Sequence, residues 1–333
     1  MKLSTILALT TAAWILAGPV WAHHSDARYD ENSVIGLQGA VTRLVWRNPH
    51  ITFYIEAEND QGELVEWGVE SGSIPIMSRS GWTEDILVPG DEVIVRAHPD
   101  KGHRTHVMMI SFEKADGSTW AQNEGDFGTA ATATSMEGVW KGTAETTSEF
   151  VLAFESIALT PAGAAARAEF DYQTHSPIAD CVPPPTPGSV IGSTVYLNQI
   201  EVLDDRVIIR SEFFDAVRTV YLDGRAHPEN GERTNQGHSI GRREGDVLVV
   251  DTTLFADHRD ASGDGVPSGA QKHLVERFYL NDDGSRLVVD IELSDPEFLA
   301  ETLRTTKSLV YVPELEFFTY NCDPEISRLS GFD

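Results

Sequence analysis

The chain has 333 residues, of which 25 are Lys or Arg and 52 are Asp or Glu, so its formal charge at pH 7 is −27. Phosphate backbones and anionic lipids are bound by clustered basic residues, and the acidic balance therefore argues against nucleic acid and against docking on an anionic membrane. The two cysteines exclude a multi-cysteine zinc site and a disulfide-packed miniprotein. The length suits about two domains of ordinary size.

The first 22 residues have the pattern of a secretory signal peptide. Lys2 supplies a basic start, residues 3–17 are apolar but too short to be a good bilayer span, and Val20 and Ala22 suit the −3 and −1 positions of a cleavage site. We expect residues 1–22 to be removed and the mature protein to be periplasmic or secreted. No other apolar run is long enough to span a bilayer, so membrane insertion is not expected.

Cleavage after Ala22 makes His23 the first residue of the mature chain. A terminal histidine offers an α-amine and an imidazole to one metal ion, and a third nitrogen from another histidine completes a T-shaped copper site. This arrangement is similar to the histidine brace of copper-dependent polysaccharide monooxygenases. His50, which follows Pro49 at the start of a predicted strand, is the expected partner. The alternative is that His23 and His24 are only polar residues after a cleavage site.

Residues 23–113 are predicted to form a small β-domain. Apolar and polar residues alternate in short stretches, as at Ile51, Phe53 and Ile55. About five such strands without a convincing helix predict a small five-stranded, OB-like barrel. Residues 114–135 are rich in Gly, Ala, Thr, Ser and Asp, and are predicted to be a linker.

Residues 136–333 are predicted to form a larger β-domain. Thr160 as N-cap before Pro161 predicts one short helix up to residue 171. Turns rich in Asp and Gly separate a series of predicted strands: 195–203, 206–213, 217–222, 247–252, 272–280, 286–293, 305–312 and 315–321. This series favours an antiparallel, lipocalin-like barrel or a strongly curved sheet, and the fold class of the chain is predicted to be mainly β.

Cys181 and Cys322 both lie in the second predicted domain. An exported protein meets an oxidising compartment, which favours a disulfide between them over two free thiols. A disulfide between them would close a long loop. By the chain-entropy relation, it would stabilise the folded state by roughly 4–5 kcal/mol.

Motifs in the first domain resemble a family of exported bacterial proteins of unknown function. They are the His-His-Ser start at 23–25, Trp-x-Asn-Pro-His at 46–50, Gly-Trp at 81–82 and Pro-Gly-Asp at 89–91. The second domain resembles a companion uncharacterised family through motifs at 221–228, 237–241, 244–252 and 273–278. Arg243 stands where that family would have an aromatic residue. The resemblance implies export and the two-domain architecture, and it brings no established activity.

The candidate chemistry lies in the second domain. In the predicted strand 272–280, Glu276 shares a face with Leu274 and Phe278, which predicts a buried carboxylate suited to general acid–base catalysis. The alternative is a structural ion pair with an arginine such as Arg277 or Arg225. The catalytic candidates are His238, Asp251, His273 and Glu276. The candidates for ligand binding are Arg225, His227, Arg277 and Tyr279.

Three functions stay open at this point. We favour an exported protein that binds a small or apolar ligand in the second barrel, because no GxSxG or other nucleophile motif is present. The first alternative is an acid–base enzyme of the lyase, isomerase or hydrolase type. The second alternative is a copper-binding protein built on His23 and His50. The cofactor is open, with copper as the candidate at His23 and His50, the expected partner is a small molecule, and the oligomeric state is open.

Overall fold

A computed structural model describes residues 28–121, 128–261, 263–325 and 327. The predicted signal peptide and His23 lie outside the described residues. Strands make up 40% and helices 15% of the structure, and a closed five-stranded barrel precedes a nine-stranded one, which confirms the predicted mainly β class. No helix in the described ranges is long and apolar enough to cross a membrane.

The first barrel is formed by five strands whose apolar residues alternate into a common core. Strand β3 pairs in parallel with β5 and closes the ring, while the other neighbours are antiparallel. A short strand, β6, extends the sheet beside β5. The elements are β1 (Ile35–Val45), β2 (Thr52–Glu58), β3 (Leu64–Glu70), α1 (Ile74–Arg79), β4 (Glu92–Pro99), β5 (His106–Lys114) and β6 (Thr119–Ala121).

The second barrel opens with one strand, continues through four helices and then completes its ring with eight further strands. The helical part consists of α2 (Ala144–Ser156), α3 (Pro161–Ala168), α4 (Tyr172–His175) and α5 (Gly188–Ile191). The strands are β7 (Gly138–Gly142), β8 (Asn198–Val202), β9 (Arg206–Ser211), β10 (Val217–Tyr221), β11 (His238–Glu244), β12 (Val247–Thr253), β13 (His273–Leu280), β14 (Arg286–Ser294) and β15 (Leu303–Tyr311).

Every strand of the second barrel lies beside its neighbour in sequence, and β15 pairs with β7 to close the ring. A ring with an odd number of strands cannot alternate in direction throughout. The single same-direction pair falls between β10 and β11, where Val220 is opposite Ser239. Parallel neighbours need a long connection, and residues 222–237 provide it. The predicted antiparallel barrel is therefore confirmed, with one parallel pair at the connection 222–237.

Helices fill part of the space inside this barrel. Phe150 of α2 and Val190 and Ile191 of α5 belong to the buried core that the inward-facing strand residues form. The predicted helix is present as α3, with the Thr160 side chain accepting a hydrogen bond from the Gly163 amide. The longer α2 escaped prediction because its apolar residues form no clean stripe, and Leu152 is 59% exposed.

Two strand predictions differ from the structure. The strand β11 lies between the predicted strands 217–222 and 247–252, where the sequence predicts no strand because the second half of β11 is polar and charged. Residues 315–321 form no strand, since their amides donate to side chains instead: Phe318 to Glu212 at 2.7 Å and Tyr320 to Asp215 at 2.7 Å.

The two barrels meet through a shared contact. Arg79 of α1 forms a buried ion pair with Glu212, and the Tyr196 hydroxyl donates to Ser73 at 3.0 Å. Tyr196 and Tyr320 are buried with the core of the first barrel. The predicted disulfide between Cys181 and Cys322 is present, with a Cα–Cα distance of 5.8 Å.

Candidate functional site

The strand β13 places the predicted site residues on two faces of the barrel wall. Alternation turns Leu274, Glu276 and Phe278 toward the core, where all three are buried. His273 and Arg277 point the other way and are partly exposed. Glu276 therefore does not share a pocket with the histidines of the outer face.

Inside the barrel, Glu276 forms an ion pair with Arg218 of β10. The Arg218 Nη2 to Glu276 Oε2 distance is 2.5 Å, and the two side chains are 1% and 0% exposed. Arg218 also donates to Ser239 Oγ at 2.9 Å and to Thr252 Oγ1 at 2.7 Å. The partner of Glu276 is thus Arg218, and the suggested pairing with Arg277 or Arg225 was wrong.

Two polar atoms of this interior pair have no partner in the described part of the chain. They are Arg218 Nη1 and Glu276 Oε1, and both are buried. An isolated buried charge is expensive, so the two groups depend on each other for their compensation. The arrangement is suited to holding the barrel wall together.

On the outer face, three histidines and one aspartate form a chain of hydrogen bonds. The Nδ1 atoms of His238 and His227 lie 2.9 Å apart, and His227 Nε2 lies 3.0 Å from Asp251 Oδ1. His273 Nε2 lies 3.1 Å from both carboxylate oxygens of Asp251. The long loop that carries His227 folds back over β11 and β12, and this brings together four residues that span 46 positions.

The surroundings of His238 disfavour its charged form. Burial lowers the pKa of His238, and the nearby His227 and Arg225 lower it further. The Tyr221 ring stacks on the His238 ring with centroids 5.4 Å apart, and the Arg225 guanidinium lies 3.8 Å from the centre of the Tyr221 ring. Arg225 itself is partly exposed and pairs with Asp223 at 2.5 Å.

Two other predicted ligand-binding residues lie further along β13. Tyr279 donates through its hydroxyl to Asp290 at 3.2 Å, and burial raises the pKa of Tyr279, with Asp290 adding to the effect. Arg277 is paired in register with Asp290 on β14 and with Val249 on β12. Both side chains belong to the outer face, away from Glu276.

A pocket opens at the end of the second barrel where β13 begins and β14 ends. It holds about 330 Å³ of space free of protein atoms, part of it open to solvent. Its walls are largely apolar and its polar lining consists of Ser268, Lys272 and Asp295, all buried. The apolar lining residues are Phe154, Ile157, Ala261, Val266, Pro267, Leu293 and Leu299.

The polar groups of this pocket are poorly satisfied by the protein. Among the described residues, none hydrogen-bonds to Ser268 Oγ or to Asp295 Oδ1. Buried polar atoms normally find partners, so unpaired ones that converge on a pocket indicate a place for a bound molecule.

Burial sets the charge state of these groups. It lowers the pKa of Lys272 to about 7, although Asp295 and Glu276 oppose the shift. It also raises the pKa of Asp295, and it lowers the pKa of His258, which is bridged to Ser268. A strongly shifted group that lines a pocket, as Lys272 does, is characteristic of functional sites.

In the first barrel, His50 lies beside a buried carboxylate. Its Nδ1 pairs with Glu70, whose other oxygen accepts from the Tyr29 hydroxyl at 2.7 Å. Burial acts to raise the pKa of Glu70, but His50, Tyr29 and Arg28 outweigh it, and the pKa is lowered. Among the described residues, no group of three or more His, Cys, Asp or Glu side chains is placed to hold a metal ion. His23, the other predicted copper ligand, lies outside those residues.

Three buried charged residues were not among the predicted site residues: Arg218, Lys272 and Asp295. A signal was present for each, because Arg218 alternates in phase with Val220, and Lys272 and Asp295 continue the inward-facing rows of β13 and β14. Each stands at or near a strand end, where a charged residue is usually exposed. Alternation alone therefore did not indicate their burial.

Comparison with known proteins adds one similarity. Residues 12–109 match a family of unknown function, DUF6152. The match covers nearly all of the first barrel, and it agrees with the resemblance of that part to an uncharacterised family. No curated protein matches the chain.

Proposed function

We propose that this chain is an exported protein that binds a small, largely apolar molecule in the pocket at the end of the second barrel. The observation that carries the proposal is the pair of unsatisfied atoms, Ser268 Oγ and Asp295 Oδ1, beneath apolar walls. A ligand with an apolar body and one polar group would cover the walls and supply the missing hydrogen bonds.

The dimensions of the site favour a compact ligand. The barrel interior around the pocket is packed with side chains from the strands and from α2 and α5, which leaves no room for a long chain. The free space of about 330 Å³ includes the open mouth of the pocket, so the enclosed part admits only a short apolar group. Lys272 at the polar end suits a ligand whose head is a hydrogen-bond acceptor or an anion.

The test is a binding measurement with a short apolar probe, 1-hexanol, by isothermal titration calorimetry. Leu299→Trp would fill the pocket and weaken binding by about ten-fold or more, equivalent to about 1.4 kcal/mol. Leu64→Trp places the same bulk on an exposed position of the first barrel and is the matched control. Equal affinity in the wild type and Leu299→Trp would contradict the proposal. Native mass spectrometry of protein purified from its own host would show a retained ligand directly.

A second candidate function is acid–base catalysis on the outer face. The observation in its favour is the hydrogen-bonded chain from His238 through His227 and Asp251 to His273, in which a carboxylate orients two imidazoles. Turnover of a panel of chromogenic esters is the measurement. Asp251→Asn should remove the activity and Arg242→Gln, on the exposed part of β11, should not. Equal turnover in wild type and Asp251→Asn would contradict this candidate.

Copper binding is supported by the anchoring of the chain near His50. The Tyr29 hydroxyl donates to Glu70, which is also the partner of His50. A segment from His23 to Tyr29 is at most about 20 Å long when fully extended, and this limits how far His23 can lie from Tyr29. Copper titration should show tighter binding to protein processed at Ala22 than to a form with one extra N-terminal residue. Equal affinity of the two forms would argue against the site.

A further inference from the structure

Lysine is scarce in this chain, and the buried lysines differ in their surroundings. The sequence has six lysines, and the structure buries Lys141, Lys272 and Lys307. Among these three, only Lys272 lines the pocket at the end of the second barrel. A buried amine in a ligand pocket differs chemically from one enclosed in a core.

The fold fixes Lys272 opposite a carboxyl group. The register pairs His273 with Ser294, and one step further Lys272 faces Asp295 across the ends of β13 and β14. Lys272 Nζ donates to the Thr186 carbonyl at 2.6 Å and lies 4.4 Å from the centre of the Phe255 ring. These contacts hold the amine in place without an ion pair at short range.

This environment favours a neutral amine. Burial lowers the pKa of Lys272 to about 7, so near neutral pH a large share of the amine is unprotonated. An exposed lysine with a pKa near 10.4 has a neutral fraction smaller by about a thousand-fold at pH 7. A neutral amine that donates one N–H to Thr186 keeps its lone pair for attack on an electrophile.

We propose that Lys272 is a nucleophile and that the pocket takes an aldehyde or ketone with an apolar body, which the lysine holds as an imine. This inference rests on the proposed ligand-binding function and names the chemical class of the ligand. The apolar walls cover the body of the carbonyl compound, and its reactive carbon lies at the polar end beside Lys272 and Asp295.

The reaction balances without an oxidant or a reductant. The lone pair of Lys272 Nζ attacks the carbonyl carbon, the nitrogen loses a proton and the carbonyl oxygen gains one, which gives a carbinolamine. The carbon–oxygen bond then breaks, the oxygen leaves as water after receiving a second proton, and the nitrogen lone pair forms the C=N bond while its remaining proton is released. One amine and one carbonyl compound thus yield one imine and one water.

Asp295 is placed to take the proton that the nitrogen loses and to pass it to the departing oxygen. Among the described residues none hydrogen-bonds to its Oδ1, while Oδ2 accepts from the Gly269 amide at 2.9 Å. Ser268 Oγ, also unpaired, stands in the same lining and is able to hold the carbonyl oxygen or the released water.

Lys307 provides an internal control. It is fully buried and burial lowers its pKa to about 7, as for Lys272. Its amine donates to Thr147 of α2 inside the core, and Lys307 does not line the pocket. If desolvation alone made a lysine reactive, both residues would react. If the pocket is required, only Lys272 would.

The test is reductive trapping on the whole mature protein. Hexanal is added at pH 7 with sodium cyanoborohydride, and intact mass and peptide mapping locate the adduct. We expect a single addition of one aldehyde less its oxygen at Lys272, about ten-fold or more faster than at the exposed lysines, given the difference in neutral fraction. Lys307 should stay unlabelled because it does not line the pocket. Lys272→Met should abolish it, and Lys307→Met should leave it unchanged.

The outcomes separate this inference from the proposed function. Labelling of Lys307 or of exposed lysines at the same rate as Lys272 would overturn the inference, and the wild type alone provides that result if a variant misfolds. If 1-hexanol binds in a manner sensitive to Leu299→Trp but hexanal leaves no adduct at Lys272, the imine is wrong and the binding function stands. Absence of both binding and adduct would contradict both.

Discussion

The inner and outer faces of the second barrel carry charged groups in opposite circumstances. Inside, Arg218 and Glu276 are almost completely buried and pair at 2.5 Å. Outside, Asp251 and His273 are 34% and 44% exposed and are linked at 3.1 Å. A single strand, β13, supplies both Glu276 and His273, so the difference arises from which face a residue points to.

Burial makes the inner groups important for stability, whereas exposure leaves the outer groups able to take part in chemistry. A buried charge has no water to solvate it, and its removal or exposure changes the free energy of unfolding by several kcal/mol. A partly exposed pair is screened by solvent and contributes little to stability. The inner groups are therefore expected to dominate the stability of the fold, and the outer groups are free to change protonation state.

The largest expected effect is at the ion pair inside the barrel. Arg218→Met leaves Glu276 buried without compensation and should lower the free energy of unfolding by about 3–5 kcal/mol. The double replacement Arg218→Met with Glu276→Met should recover most of this loss. Urea denaturation measures both. Arg277→Met, on the outer side of β13, is the control and should cost less than about 1 kcal/mol. Equal losses at positions 218 and 277 would remove the distinction between the faces.

A smaller but pH-dependent effect is expected at Lys307. Its pKa is about 7 in the folded protein and near 10.4 unfolded, so between these values the unfolded chain binds more protons and stability rises with pH. The slope from this group is at most about 1.4 kcal/mol per pH unit. The buried charge therefore destabilises the folded state fully below pH 7, and this destabilisation is absent above pH 10.

Lys307→Met should remove this dependence. The variant should exceed the wild type in stability by a few kcal/mol near pH 7, and the gap should close toward pH 10. Urea midpoints at several pH values measure it, with exposed Lys101→Met as the control. Parallel pH profiles of wild type and Lys307→Met would show that the buried amine does not titrate as described.

On the outer face, Asp251→Asn should change the free energy of unfolding by only about 0–1 kcal/mol, because the groups it contacts are partly exposed. Thermal unfolding of the variant beside the wild type is the measurement. A loss as large as that of Arg218→Met would mean that the histidine chain holds the barrel together.

The smallest expected effect is a shift in one histidine pKa. The pKa of His238 should lie below its ordinary value, because of burial first and of His227 and Arg225 next. His227→Gln removes one of these contributions and should raise the pKa of His238 in part, since burial persists. NMR titration of the imidazole proton measures it. No change in the variant would show that His227 does not influence His238.

Much of the fold follows from local patterns in the sequence. Alternation of apolar and polar residues predicted most strands of both barrels, and the Thr160 cap predicted α3. The inward position of Glu276 followed from its phase with Leu274 and Phe278. The polar strand β11 and the helix α2 were missed, since neither shows a clean apolar period.

The site was only partly predictable. The sequence indicated His227, His238, Asp251 and His273 as separate candidates, and the structure joins them because the loop 222–237 folds over the barrel wall. The pocket at Lys272 carried no motif. Its polar and apolar lining residues come from α2, the loop after β12 and the ends of β13 and β14, and only the packing of these elements on one another brings them together.

The sequence by itself determined the mainly β class, the two barrels and the pairing of the two cysteines. The class and the barrels depend on composition and local periodicity, and two cysteines allow one pairing. Tertiary structure alone decided which arginine compensates Glu276, which lysine reaches a pocket and which histidines meet. Those contacts join residues that are distant in sequence, and strand pairing and loop folding, rather than spacing along the chain, set their distance in space.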